Sequence, residues 1–426
     1  MNNNIRIFKF GGASVKNADA VRNVLSIVKE FRKDVHLILV VSAMAKTTNA
    51  LEVLVNKTIA NEDYSMEFET LRNFHYQIIN ELFSPSISIR KALDEIFNHI
   101  QDLLITCSRK DYNFLYDQVV SQGEILSTKI VTEYFNASDV PATFIDARTW
   151  IRTDTTYREG KVDWSYTTSS IAEAVKEFKK NDNESVIITQ GFIGQAANGS
   201  STTLGREGSD YTAAILAYAL DASDVTIWKD VPGVLNADPK FFPDAQLLPH
   251  LSYQDAIEMA YYGATVIHPK TMKPLQNKNI ALHVKSFLDP HHSGTVINDR
   301  DPLVVLPCFI FKTNQALLSF SPKDFSFIVE ENISQMFSAL AKFRVKVNLM
   351  QHSALSFQLC VDDDAQKLVP LLEVLKDNFN IEHQHGLELC SIRNYNQATV
   401  ERLMKGRYLW VEQKNSHTIR LVISTL

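Results

Sequence analysis

The residues best suited to chemistry in this 426-residue chain fall into two polar clusters that lie far apart in sequence. The first is Lys9-Phe10-Gly11-Gly12-Ala13-Ser14-Val15, where an apolar run ends in a lysine, two glycines and a hydroxyl. Glycines let a backbone approach a ligand without Cβ clashes, their N–H groups can point at anionic oxygens, and a lysine adds a mobile positive charge. The turn suits a phosphate. A Gly-Gly pair after a strand also occurs as a plain turn, and P-loop spacing is absent. The second cluster is Thr202-Thr203-Leu204-Gly205-Arg206-Glu207-Gly208-Ser209-Asp210-Tyr211, immediately ahead of an alanine-rich helical pattern. Ser209 or Asp210 stands at the helix start, a position that favours anions, and Arg206 can grip a carboxylate bidentately. Further polar groups at 42–49, Gln122-Gly123-Glu124, 191–194, 229–233 and 236–240 follow strand patterns, and ligand sites of open α/β sheets lie outside the carboxyl ends of strands.

The elements that must position these groups alternate. Short β-rich runs at 5–10, 36–41, 141–145, 185–189, 225–228 and 281–286 are separated by helical patterns at 17–33, 49–60, 167–180, 209–220 and 252–262. Such alternation predicts an open α/β sheet. The stretch 65–135 reads as helical throughout, with Leu93, Ile96, Phe97, Ile100, Leu103 and Leu104 at core spacing. Twelve of the fourteen glycines precede residue 300, and Asp299-Arg300-Asp301-Pro302 has the character of a linker. The expected domains are therefore 1–298 and 299–426. In the second, a small βαββ pattern occurs twice, and the second copy stops before a full final helix and strand.

Composition bounds the function. Hydrophobic residues at 45%, charged residues at 22% and a formal charge of −6 describe a globular chain and disfavour nucleic acid as a partner. No run reaches the ~20 apolar residues that span a bilayer, and no basic, then apolar leader opens the chain, so no membrane partner and a cytoplasmic location are expected. Cys107, Cys308, Cys360 and Cys390 are scattered, which indicates neither a zinc knuckle nor a disulfide framework.

The motifs Lys9-Phe-Gly-Gly-Ala-Ser-Val15, Gly191-Phe-Ile-Gly194, Thr203-Leu-Gly-Arg-Glu-Gly-Ser-Asp-Tyr211, Trp228-Lys-Asp-Val-Pro-Gly233, Ala237-Asp-Pro239 and Tyr262-Gly-Ala-Thr-Val-Ile-His-Pro269 resemble those of the aspartate kinase (aspartokinase) family, in matching order over about 5–298. The carboxyl-terminal units resemble, more loosely, the ACT regulatory domains of that family. The resemblance implies an amino acid kinase fold, an open, mainly parallel sheet sandwiched by helices, followed by small α+β ACT-like (ferredoxin-like) units. It implies phosphoryl transfer from MgATP to the β-carboxylate of L-aspartate at the head of lysine, threonine and methionine biosynthesis, and a homodimer formed through the ACT-like region. Carried over residue by residue, Lys9 would meet the transferring phosphate, with Gly11, Gly12 and Ser14 shaping its cradle. Asp210 would position the lysine and the metal–phosphate array, with Ser209 helping at the helix terminus. Arg206 would bind the α-carboxylate and Glu124 the α-ammonium of aspartate, and Ser42 and Thr48 would hydrogen-bond it. Lys229, Asp230, Leu235 and Lys240 would serve ATP. No protein residue is assigned to the metal directly, since Mg²⁺ would arrive on the ATP phosphates.

The chain departs from its relatives at Ala13 (often Thr), Glu207 (often Gly), Leu235 (often Tyr) and Thr265 (Lys or Arg in some). Glu207 either faces solvent, the favoured outcome, or competes for Arg206. A lost phosphate contact could come from Lys229, Lys240 or Lys270. Two rivals are a glutamate-type kinase of the same fold, disfavoured by the Lys-Phe-Gly-Gly opening, and a silent amino-acid sensor, disfavoured by retention of Lys9 with Asp210. The region 319–332 lacks glycine, and Asn348 stands where an aspartate often meets the effector, so an altered or absent effector response is expected.

Overall fold

The computed structural model describes residues 4–33, 35–83, 87–107, 111–181, 185–264, 267–300, 306–324 and 326–425. Thr265 and two linker residues, Asp301 and Pro302, lie outside them. The chain divides into two compact units, Met1–Val234 with Leu247–Ile257 and Val266–Pro302, and Leu235–Gln246 with Glu258–Thr265 and Leu303–Leu426.

The first unit is built on strands β1 (Ile5–Phe10), β2 (His36–Val41), β3 (Ala142–Ile145), β4 (Arg152–Thr153), β5 (Val186–Gln190), β6 (Ile193–Ala196), β7 (Ser201–Thr203), β8 (Asp224–Lys229), β9 (His250–Ser252), β10 (Ala281–Ser286) and β11 (Thr295–Asn298). Eight of them form one sheet in the order β3-β5-β2-β1-β8-β10-β11-β9, parallel at every pairing except β10 with β11. The run of buried Val, Ile, Leu and Phe along β1 and β2 is the pattern of strands covered on both faces. Phe10 stacks on Trp228 of the neighbouring β8 with ring planes 2° apart, and Phe8 meets the same indole edge-on.

The helix Ala18–Phe31 starts where Asn17 accepts the Ala20 N–H, and it buries Val21, Val24, Leu25 and Val28, the stripe its spacing predicts. In the all-helical stretch, Leu93, Phe97, Ile100 and Leu104 are buried in the same core, and Ile96 and Leu103 pack at its edge. The helix Gly208–Leu220 is buried along most of its length and packs against β1 and β8, and its alanines permit that close approach.

The second unit holds one six-stranded antiparallel sheet. Its strands are β12 (Cys308–Pro322), β13 (Val347–His352), β14 (Phe357–Asp362), β15 (Phe379–Arg393), β16 (Arg407–Lys414) and β17 (Thr418–Thr425), in the order β13-β14-β12-β15-β17-β16. β12 and β15 are each 15 residues long and pair along their lengths, with register slips between Lys312 and Leu317. Each βαββ copy therefore shares both long strands. The sheet position that a last strand of the second copy would take is filled by 308–312 of β12, beside 389–393. Helices Glu330–Lys342 and Ala365–Leu375 cover one half through Met336, Leu340 and Leu371, and helix Gln397–Met404 covers the other through Val400 and Leu403.

Candidate active site

A parallel sheet gathers the carboxyl ends of its strands on one edge. Here the chain order reverses at β1, which has β2 on one side and β8 on the other. Lys9 near the end of β1, Lys229 at the end of β8 and Ser42 just past β2 are therefore brought together, and all three line a cavity of about 660 Å³ in the first unit. Gly12, Thr48, Glu124, Arg206, Ser209 and Asp210 line it too.

Asp210 lies in the first turn of helix Gly208–Leu220, where the aligned N–H dipoles favour a carboxylate. Its Oδ1 sits 2.6 Å from Lys9 Nζ and its Oδ2 3.8 Å from Lys229 Nζ, so one buried carboxylate holds two lysines. Gly12 opens the short helical turn Gly12–Val15, and its position admits no side chain: a Cβ would come 2.8 Å from the carbonyl oxygens of both Ala43 and Ala45. Glycine thus lets this turn close onto the loop after β2, and the Gly12 carbonyl accepts from Ala45 N at 3.0 Å.

Glu124, in the first turn of helix Gln122–Ala137, is 2% exposed. Burial pushes its carboxyl up to about 8, against a 3.4 Å hydrogen bond from Ala43 N, and its Oε2 is buried with no hydrogen-bond partner. A neutral carboxyl at pH 7 therefore gains its charge when a cation arrives. Arg206 is exposed in the cavity wall and forms no ion pair with Glu207 or any other described carboxylate. Glu207 is not turned fully to solvent: it is half-buried in the wall, with Oε2 buried and unpartnered, at φ +53°.

The model family described as the amino acid kinase family matches residues 4–286. Over 398 residues the chain is 33% identical to lysine-sensitive aspartokinase 3 of Escherichia coli, covering 91% of this chain and 86% of that protein. This chain belongs to the amino acid kinase family, among its aspartokinases. Its fold is similar to that of E. coli aspartokinase III in complex with lysine and aspartate (T-state), with a TM-score of 0.82 and 29% identity over 98% of this chain and 95% of the other. It is similar as well to the same enzyme in complex with aspartate and ADP (R-state), with a TM-score of 0.79 and 28% identity over 98% and 96%.

Not every residue assigned from the sequence of this aspartokinase reaches the cavity. Gly11 lies beside Lys9, since a Cβ there would stand 3.2 Å from Nζ. Ser14 is buried behind the wall, with Oγ 3.5 Å from the Trp228 carbonyl. Asp230 is exposed, and Leu235 and Lys240 belong to the second unit; none of the three is a lining residue.

Sequence reasoning missed Tyr116, Arg158 and Glu159, which also line the cavity, and gave no role to Phe192, a lining residue within the 191–194 motif. The Arg158 guanidinium lies 4.4 Å from the Tyr116 ring centre. Its backbone N–H donates to Asp117, a buried carboxyl that also accepts from Thr203 N and Oγ1. Burial pushes Asp117 up to about 6 even against those bonds. A further signal lies in the backbone: Ala45, Arg158, Phe192 and Glu207, all in the lining, take positive φ without being glycine. Such strain gathers where surrounding structure holds a ligand site in shape. Only Glu207, standing where relatives often have glycine, hinted at it.

Proposed function

We propose that this protein is an aspartate kinase that transfers the γ-phosphoryl group of ATP to the β-carboxylate of L-aspartate, giving 4-phospho-L-aspartate and ADP. The observation that carries this reading is the meeting, in one cavity, of Lys9–Asp210–Lys229 with Glu124 and Arg206. The first group suits phosphate oxygens, and the second pair reads the ammonium and carboxylate of an amino acid.

In this reading Glu124 ionises as it takes the α-ammonium, Arg206 takes the α-carboxylate, and Ser42 just past β2 and Thr48 in the first turn of helix Thr47–Ala60 hold the substrate. That leaves the β-carboxylate to face Lys9. A carboxylate with an ordinary pKa near 4 is already a nucleophile at neutral pH, so no general base is required. His268 fits that view: its Nδ1 accepts from Lys270 N as a helix cap, and burial lowers its pKa. Catalysis is then positioning and charge neutralisation, with Lys9 and Lys229 aimed at the transferring group and Asp210 fixing both. Mg²⁺ would enter on the ATP phosphates and neutralise their charge; Asp210 is the lining carboxylate closest to both lysines.

The wider reading places the enzyme at the first step toward lysine, threonine and methionine, in the cytoplasm, with 1–298 catalytic and 299–426 an ACT-like regulatory and dimerisation region. The ferredoxin-like strand order β13-β14-β12-β15 supports the ACT assignment, and exposed Tyr408, Leu409 and Trp410 on edge strand β16 support self-association. ADP release measured with aspartate and with glutamate tests the activity. Release that depends on aspartate is expected, and equal or greater release with glutamate would replace this reading with its glutamate-type rival.

A further inference from the structure

The second unit has a cavity of its own, of about 220 Å³, which the kinase reading does not use. Phenylalanines 241, 242, 309 and 311 form its apolar wall. Phe241 lies over Phe311 with centroids 5.1 Å apart and planes 22° apart, and Phe242 meets Phe309 at 4.6 Å and 33°. Phe241 and Phe311 stack on each other and present an apolar wall suited to another flat ring laid against it, and Phe241 is 42% exposed at the cavity mouth.

The charged groups of the lining are all cations: Arg402, Lys405 and Arg407. Arg402 and Lys405 have no ion pair among the described residues. Their place at the end of helix Gln397–Met404 complements the helix dipole and accounts for those two. Arg407 has no such explanation. It lies on β16, its nearest carboxylate oxygen is 4.0 Å away on Glu388, and its Nη1 is buried with no hydrogen-bond partner. Its guanidinium stands 5.6 Å from the Phe311 ring centre. Buried donors are nearly always paired, and three like charges around one small cavity repel. An anion would relieve both costs.

We propose that this cavity binds a small aromatic carboxylate, with its ring against Phe241 and Phe311 and its carboxylate on Arg407, inside the field of Arg402 and Lys405. The site is independent of the kinase reading. Calorimetric titration of the full chain with benzoate, benzamide, acetate and inorganic phosphate tests it. A nine-atom ligand in a cavity of this size should bind with Kd about 1 mM, and the neutral amide and the ringless anions about tenfold or more weaker. Arg407→Gln should weaken benzoate by about tenfold. Phe241→Ala, at the exposed mouth, should weaken it several-fold and serves if Arg407→Gln fails to fold. Benzamide binding as well as benzoate would remove the anion site. Phosphate or acetate binding as well as benzoate would remove the aromatic wall from the site. Absence of saturable benzoate binding, or an affinity unmoved by both substitutions, would overturn the whole proposal.

Discussion

Two polar regions of this molecule each hold buried polar groups, yet they differ in what is left over. In the second unit Asn348 is 6% exposed and wholly engaged: its Oδ1 accepts from Lys312 Nζ, and its Nδ2 donates to Gln315 Oε1 and Asp362 Oδ1, all within 2.8 Å. Burial raises the Asp362 carboxyl, but hydrogen bonds from Gln315 and Asn348 and the charge of Lys312 outweigh it, so the net shift is downward. In the cavity of the first unit, Glu124 and Glu207 each keep a buried oxygen without a partner, and Glu124 is pushed up. A polar network closed on itself specifies structure, whereas one left open, on a strained backbone, is built for something that arrives.

The largest effect that sharpens this contrast is expected at Lys9. Lys9→Ala should cost about 10²–10³ in kcat, the usual scale for one electrostatic stabiliser. Near-normal turnover would show that Lys229 suffices. Arg206→Ala should raise the aspartate KM by about 10–100-fold, the worth of a charge-assisted hydrogen bond, with kcat changed far less. An unchanged KM would move the α-carboxylate elsewhere.

Glu124 gives the contrast a pH signature. Its folded pKa of about 8 lies above that of an ordinary carboxyl, so the free protein holds a proton there that an unfolded chain would lose near pH 4.5. Its contribution to stability is therefore fully present below about pH 4.5 and is lost as pH rises through 8. Glu124→Gln should abolish that loss and melt higher than wild type at pH 8, while binding aspartate poorly. For the wild type, the aspartate KM should fall by up to about tenfold per pH unit below 8 and then level off, because only the carboxylate reads an ammonium. A KM flat from pH 6 to 8 would contradict the assignment.

The closed network predicts the reverse behaviour. Asn348→Ala should cost about 1–3 kcal/mol in chemical denaturation, by stranding buried partners, and leave aspartate turnover unchanged. With its side chain already engaged, Asn348 offers little to an effector, so calorimetric titration with lysine or threonine should show no micromolar binding. Such binding of either would show that the network opens. The smallest effect is at Glu207, where φ is +53°. Glu207→Gly should gain about 1 kcal/mol of stability by removing a left-handed side-chain penalty.

Much of this was legible in the sequence, and particular residues show why. Strands 5–10, 36–41 and 281–286 coincide with the observed bounds, the first two because nearly continuous buried runs stand out and the third because its buried and half-buried side chains alternate. Lys9, Glu124, Arg206 and Asp210 were found through motifs, and the parallel sheet then explains how distant segments meet. Arg158 escaped because its role is tertiary: nothing in Tyr157-Arg158-Glu159 announces that Asp117, 41 positions away, will pin it in the cavity wall. The full length of strands β12 and β15 is not legible in the sequence, because Asn314 and Gly386, both at positive φ, interrupt the alternation of their side chains.

The most direct test of the kinase reading is to trap the product itself. With ATP, Mg²⁺ and hydroxylamine, the protein should convert L-aspartate to its β-hydroxamate, with little product from glutamate and a loss of about 10²–10³ in the Lys9→Ala variant. Absence of aspartyl β-hydroxamate from the wild-type protein, or equal amounts from the variant, would contradict it.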